Sequence, residues 1–190
     1  VHMDSTTFKY HHVSEYGGSI YVSSGANVSI LNNTVSDSVA VSGAGIYITG
    51  VDTYLALSGS TILSNTANSS GGGVYVSGKA VLQARGNVYS NNTARGSFTS
   101  NGGGGALYIN DMTVVTSTND QYNNNQATQG YGGAVYIRTA ANMASTNSSY
   151  ISNIATNGNG GAIYVSSRAI FSSTSDNIKN NKVAASGGCG

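Results

Sequence analysis

Residues 132–137 read Gly132-Gly133-Ala134-Val135-Tyr136-Ile137: two small residues, a third small residue, an aliphatic, a tyrosine and an aliphatic. The same order recurs at Gly17-Gly18-Ser19-Ile20-Tyr21-Val22, Gly43-Ala44-Gly45-Ile46-Tyr47-Ile48 and Gly71-Gly72-Gly73-Val74-Tyr75-Val76. It recurs again at Gly104-Gly105-Ala106-Leu107-Tyr108-Ile109 and Gly160-Gly161-Ala162-Ile163-Tyr164-Val165. Successive tyrosines are 26, 28, 33, 28 and 28 residues apart, and a further copy opens at Gly187-Gly188-Cys189. A fixed period of this length marks a repeat architecture, in which each unit buries its apolar face only against its neighbours.

A second signature precedes each glycine pair: an aromatic or aliphatic residue, two variable residues, then Asn. It reads Ile30…Asn33, Ile62…Asn65, Tyr89…Asn92, Tyr122…Asn125, Tyr150…Asn153 and Ile178…Asn181. Phe8…His11 stands in the same place near the start. From Tyr21 to Asn33 is 12 residues where other turns have 17 or 18, so that coil reads as shortened.

Short aliphatic runs between Gly, Asn and Ser turns suit a β-solenoid. A propeller blade of four strands needs about 40 residues or more, and the leucine scaffold of a leucine-rich repeat is missing. The expected fold is all-β: a right-handed single-stranded parallel β-helix, one domain over residues 1–190, of about seven coils of about 28 residues. Three short strands per coil are expected, making a rod about 30–35 Å long at about 4.8 Å per coil.

Composition narrows the function classes. Gly, Ser, Asn and Thr make up 94 of the 190 residues, only 8% are charged, and the net charge is +1. An ordinary globular protein carries about a quarter charged residues. No basic cluster supports nucleic-acid binding. No apolar run approaches the roughly 18 residues of a membrane helix, and the alternating strands of a membrane barrel are lacking, so no membrane insertion is expected of this segment. Val, Ile and Tyr are too plentiful and too regularly placed for a disordered chain.

Strand alternation places Val135 and Ile137 on one face and Ala134 and Tyr136 on the other. With the aliphatic pair inward, Tyr21, Tyr47, Tyr75, Tyr108, Tyr136 and Tyr164 form an outward ladder, the leading candidate contact surface; an inward tyrosine stack is the alternative. The insert from Ala94 to Gly103 is a candidate cover for it. The columns Phe8, Ile30, Ile62, Tyr89, Tyr122, Tyr150, Ile178 and Leu55, Leu82, Val115, Met143, Phe171 are expected in the core. Asn33, Asn65, Asn92, Asn125, Asn153 and Asn181 are expected as a structural amide ladder at a turn.

The paired GGA[ILV] and FxxN signatures resemble the repeat of the chlamydial polymorphic outer-membrane proteins. Here they read GGAVY at Gly132–Tyr136 and GGAIY at Gly160–Tyr164, with Tyr or Ile in place of Phe except at Phe8. The resemblance covers nearly the whole chain. It implies a parallel β-helix of passenger type on a cell surface, acting as an adhesin.

The remaining candidates are weaker. Asp120 and Asp176 share one column with Ser148 between them, roughly 9–10 Å apart, near the spacing of an inverting glycosidase pair; two solvated turn aspartates are the simpler account. No catalytic residue, cofactor or metal site is expected; His2, His11 and His12 have no carboxylate cluster beside them. Thr118, Thr146 and Thr174 fall in register, with Thr116 beside the first, and are the basis for an ice-binding alternative. Sequons stand at Asn27, Asn32, Asn68, Asn91 and Asn147, so glycosylation is open. Cys189 falls in the small-residue column of Ser19, Gly45, Gly73, Ala106, Ala134 and Ala162. The chain reads as part of a longer solenoid or a unit that stacks end to end. The expected function is an extracellular or cell-surface rod that presents repeated side chains to a glycan or protein receptor, or to neighbouring rods in a fibre.

Overall fold

The computed structural model describes residues 1–96 and 102–184. Cys189 and part of the Ala94–Gly103 insert lie outside the described residues. Every described element is a β-strand and every pairing is parallel. No helix long and apolar enough to cross a membrane occurs among the described residues.

One turn of the wall runs through Val74–Ser77, Val81–Arg85, Val88–Ser90 and Thr93–Ala94 before Leu107–Ile109 begins the next. There are thus four strands per turn rather than three. The fourth, often only two residues long, is too short to show any alternation in the sequence. Strands from consecutive turns pair into four sheets: sheet I (with Val81–Arg85) and sheet II (with Val88–Ser90) have seven strands each. Sheet III (with Thr93–Ala94) and sheet IV (with Val74–Ser77) have six each. The 33-residue interval comes from extra residues between Thr93–Ala94 and Leu107–Ile109.

The glycine pair makes the corner between sheets III and IV. Gly132 has φ +64°, a left-handed conformation that a Cβ penalises. Gly133 is needed for a different reason. A Cβ there would lie 2.1 Å from the Gly161 carbonyl oxygen and 2.5 Å from the Ile154 nitrogen. The corner therefore packs backbone on backbone, over a buried column of Ala40, Ala67, Ala94, Ala127 and Ala155 in sheet III.

The other inward columns are larger. Sheet IV supplies Ile46, Val74, Leu107 and Val135, with Ile48, Val76, Ile109 and Ile137 beside them. Sheet I supplies Val28, Leu55, Leu82, Val115, Met143 and Phe171 in one row. In sheet II, Tyr89, Tyr122 and Tyr150 stack inside the core at 4.7 Å with ring planes within 3°. The Tyr122 hydroxyl meets Ser117 Oγ at 2.9 Å and the Tyr150 hydroxyl meets Ser145 Oγ at 2.8 Å. Tyr89 has no such partner, because Ala84 occupies the position of those serines one turn earlier.

Two polar ladders line the corners on either side of sheet II. The ladder between sheets II and III runs Ser38, Asn65, Asn92, Asn125, Asn153, Asn181. Each asparagine Oδ1 from Asn92 onward accepts two bonds from the preceding rung. For Asn125 these come from the Asn92 backbone N–H and Asn92 Nδ2, both at 3.1 Å. The second Nδ2 proton goes to a sheet II carbonyl: Asn92 to Ile62, Asn125 to Tyr89, Asn153 to Tyr122. Each rung follows a left-handed residue: Asp37, Ser64, Asn91, Asn124, Ser152 and Asn180.

Asn33 is not in this ladder. It belongs to the ladder between sheets I and II, which runs Asn33, Ser60, Asn87, Asp120, Ser148, Asp176. Likewise Ile30 lies inward in sheet I beside Leu57, and Val35 fills the sheet II column between Phe8 and Ile62. The physical reason is that both corners share one local grammar: an inward residue, an outward one, a left-handed one, then the rung. Ile30…Asn33 and Val35…Ser38 both obey it. Tyr21 is 17 residues from Ser38, so the first coil is of ordinary length.

Asn92→Ala should strip the acceptor from the Asn65 backbone and side-chain N–H groups inside the wall. A loss of about 3–5 kcal/mol in urea unfolding is expected, against little change for the exposed Asn142→Ala. Tyr89→Phe should stabilise the protein by about 1 kcal/mol by removing an unpartnered buried hydroxyl, whereas Tyr122→Phe should destabilise it. Paired denaturation curves check the opposite signs.

Candidate functional site

Alternation in sheet IV turns the aliphatic pairs inward and the tyrosines outward. Tyr21, Tyr47, Tyr75, Tyr108, Tyr136 and Tyr164 occupy one row in register. Rings stack along the axis at 5.2 Å between Tyr21 and Tyr47, 4.7 Å between Tyr47 and Tyr75, and 4.8 Å between Tyr75 and Tyr108. Beyond Tyr108 the order changes: Tyr136 stands edge-on to Tyr108 at 89°.

The row is not uniformly open. Tyr21 is 52% exposed, but Tyr108 is 4% and Tyr136 only 2% exposed. This corrects the expectation of an exposed ladder at those two positions. Tyr131, just before its glycine pair, packs on Tyr136 at 5.5 Å and on Tyr164 at 4.5 Å. Arg138 Nη1 donates to the Tyr108 hydroxyl at 3.5 Å. The accessible strip is therefore Tyr16, Tyr21, Tyr47 and Tyr75, with Tyr16 tilted against Tyr47 at 5.0 Å, while Tyr164, beyond the two buried tyrosines, is again half-buried. Because stacked rings cover one another's faces, the strip presents mainly ring edges and hydroxyls. Burial pushes the hydroxyls of Tyr47, Tyr75, Tyr108 and Tyr136 above the ordinary tyrosine range, so they stay protonated at neutral pH.

A second outward row runs beside the tyrosines, two residues along each strand: Thr49, Ser77, Asn110, Arg138, Ser166. Ser77 Oγ donates to Thr49 Oγ1 at 3.1 Å, and Ser166 Oγ lies 3.3 Å from the Tyr136 hydroxyl. Asn110 Oδ1 is buried without a hydrogen-bond partner. Tyr131 and Arg138 lie outside both repeat signatures. Arg138 was legible, since it is two residues after Tyr136 and must share its face; Tyr131 was not, since it precedes the corner.

Asp120 and Asp176 do share a row, with Ser148 between them, and both are rungs of the ladder, Asp120 buried and Asp176 half-buried in the last turn. Asp120 is 1% exposed. Its Oδ1 accepts from the Asn87 backbone N–H at 2.7 Å and from Asn87 Nδ2 at 3.0 Å, and its Oδ2 accepts from Ser117 Oγ at 2.7 Å. Asp176 Oδ1 accepts from the Ser148 N–H, and its Oδ2 from Ser173 Oγ. Asp120 is sealed in the wall, out of reach of a polysaccharide. Burial pushes its carboxyl up to about 6, while the bonds from Asn87 and Ser117 pull the other way.

Thr118, Thr146 and Thr174 pair in register on sheet I, and the same row continues through Arg85, Ser58 and Leu31. The sequon residues Asn27, Asn32, Asn68, Asn91 and Asn147 are all exposed. Asn32, Asn91 and Asn147 sit at left-handed corner positions. His11 takes the place before Ser38, with Nδ1 3.1 Å from Ser19 Oγ. No group of three His, Cys, Asp or Glu able to hold a metal gathers among the described residues. Compared with protein-family models, curated proteins and solved structures, the chain gives no match.

A carboxyl whose folded value lies above its ordinary 3.8 makes the folded state the tighter proton binder. Asp120 therefore lowers stability as pH rises from about 4 to about 6, by roughly 3 kcal/mol, and has no further effect above that window. Asp120→Asn should flatten this part of the profile, measured as unfolding free energy between pH 4 and pH 7.

Proposed function

We propose that this chain is a structural or adhesive rod of the cell surface or extracellular space, whose stiff wall presents ordered side-chain columns to a partner. The partner is a glycan or protein receptor, or a neighbouring rod in a fibre. The observation that carries this is the tyrosine row on sheet IV, held at 4.7–5.2 Å intervals from Tyr21 to Tyr108 and open to solvent at one end. Tyrosine combines large contact area, few rotatable bonds and a polar tip, which suits recognition. The wall beneath is fixed by two hydrogen-bonded ladders, so the row is preorganised and binding orders little else. The resemblance of the GGA[ILV] and FxxN signatures to chlamydial surface repeats supports the same placement, as do the exposed sequon asparagines.

The test is the triple variant Tyr21→Ser, Tyr47→Ser, Tyr75→Ser. Adhesion to glycan arrays and to cell layers, or lateral assembly seen by electron microscopy, should fall roughly tenfold or more. The far-ultraviolet spectrum should stay that of the parent. Unchanged adhesion and assembly would remove this surface from the function.

A further inference from the structure

The corner joining sheet IV to sheet I carries two consecutive left-handed residues in each of three turns: Asp111 and Met112, Thr139 and Ala140, Ser167 and Arg168. Two earlier turns place a glycine in such a pair, Ser24–Gly25 and Gly78–Lys79. The later three use none. For Thr139, with a branched Cβ and φ +51°, this conformation is strongly disfavoured. Strain of this kind persists only where the surroundings impose it, and it gathers at binding sites.

Thr139, Ala140, Ser167 and Arg168 line a hollow of about 290 Å³. Arg168 is exposed at its rim. Arg138 adjoins it and is pinned, with Nε donating to Thr139 Oγ1 at 3.2 Å and Nη1 to the Tyr108 hydroxyl. Two of the five guanidinium N–H donors are thereby used, and the others are left open. Neither arginine has an ion-pair partner among the described residues, where the pair found is Lys9–Asp37. The acid of this corner, Asp111, belongs to the preceding turn and pairs with neither. Hydroxyls gather at the corner: Thr139 and the Tyr108 phenol bond Arg138, and Ser166 joins the Tyr136 phenol to Ser167, which lines the hollow. Asn110 adds a buried Oδ1 that lacks a donor.

We propose that this corner is a binding site for a carboxylate-bearing glycan. Arg138 and Arg168 take the carboxylate, a planar acceptor that matches the guanidinium fork. The serine and threonine hydroxyls of the corner take sugar hydroxyls, and the chain of the glycan runs on along the tyrosine strip. The proposal rests on the reading of sheet IV as a contact face and adds the charge class of its ligand.

The experiment titrates the whole protein with oligogalacturonate and with the same oligosaccharide fully methyl-esterified, by calorimetry. The acid form should bind, with affinity falling as salt is raised, and the ester should bind about tenfold or more weakly. The double variant Arg138→Gln, Arg168→Gln, with an unchanged thermal midpoint, should lose the preference for the acid form. Equal binding of acid and ester, full affinity in the double variant, or no binding of the acid form overturns the site. The Tyr21, Tyr47, Tyr75 serine variant in the same titration separates the two ideas. Affinity lost there but kept in the arginine variant leaves the tyrosine strip standing and removes the anion site. Affinity kept there but lost in the arginine variant does the reverse.

Discussion

Stacking like turns leaves a line of buried backbone groups at each corner, and the structure depends on how those groups are bonded. Inside a strand, the neighbouring turn supplies donors and acceptors. At a corner the chain bends, the sheet ladder is interrupted, and a buried N–H without a partner costs about 1–3 kcal/mol. The Asn92–Asn125–Asn153 ladder meets this with one residue type. Its Oδ1 accepts the backbone N–H of the rung before it, and its two amide protons go to the next rung and to a sheet II carbonyl. A left-handed residue before each rung turns the side chain inward. The Gly–Gly corner solves the same problem differently, by removing side chains until backbone packs on backbone.

The interior follows from these corners. It is narrow, so each sheet contributes one or two inward positions per turn, and every column must stack on itself. Identical side chains at 4.7 Å suit flat rings, hence the tyrosine stack of sheet II, and suit alanine where the Gly–Gly corner closes in. Substitution in one column is felt by the next. Ala84 in place of a serine leaves Tyr89 without a hydrogen bond, and Asp120 in place of an asparagine or serine puts a titratable group inside the wall. A core built this way leaves little room for a ligand inside, so recognition falls to the outer surface, where the strands hold tyrosines and arginines in fixed rows.

The repeat made the solenoid legible. Its period, the inward aliphatic pairs and the outward tyrosines of sheet IV all follow from alternation along three-residue strands, and the cores of sheets I and II were readable in the same way. What the repeat leaves ambiguous is local. Ile30-x-x-Asn33 matches the grammar of two different corners, and only pairing with Thr61–Leu63 shows that Val35 and Ser38 are the true counterparts of Ile62 and Asn65. The fourth strand of each turn was invisible because two residues carry no period.

The sequence by itself determined the architecture, the faces of the strands and the rows that can form on each. A periodic chain repeats the same local choice, and repetition amplifies a weak signal. Only the tertiary structure decided which members of a row are open. Tyr21 and Tyr136 hold the same place in the repeat, yet one is half exposed and the other sealed by Tyr131. Asp120 and Asp176 likewise share a row but not a burial. Exposure depends on what the neighbouring turns and corners lay over a side chain, and those contacts join residues far apart in the sequence.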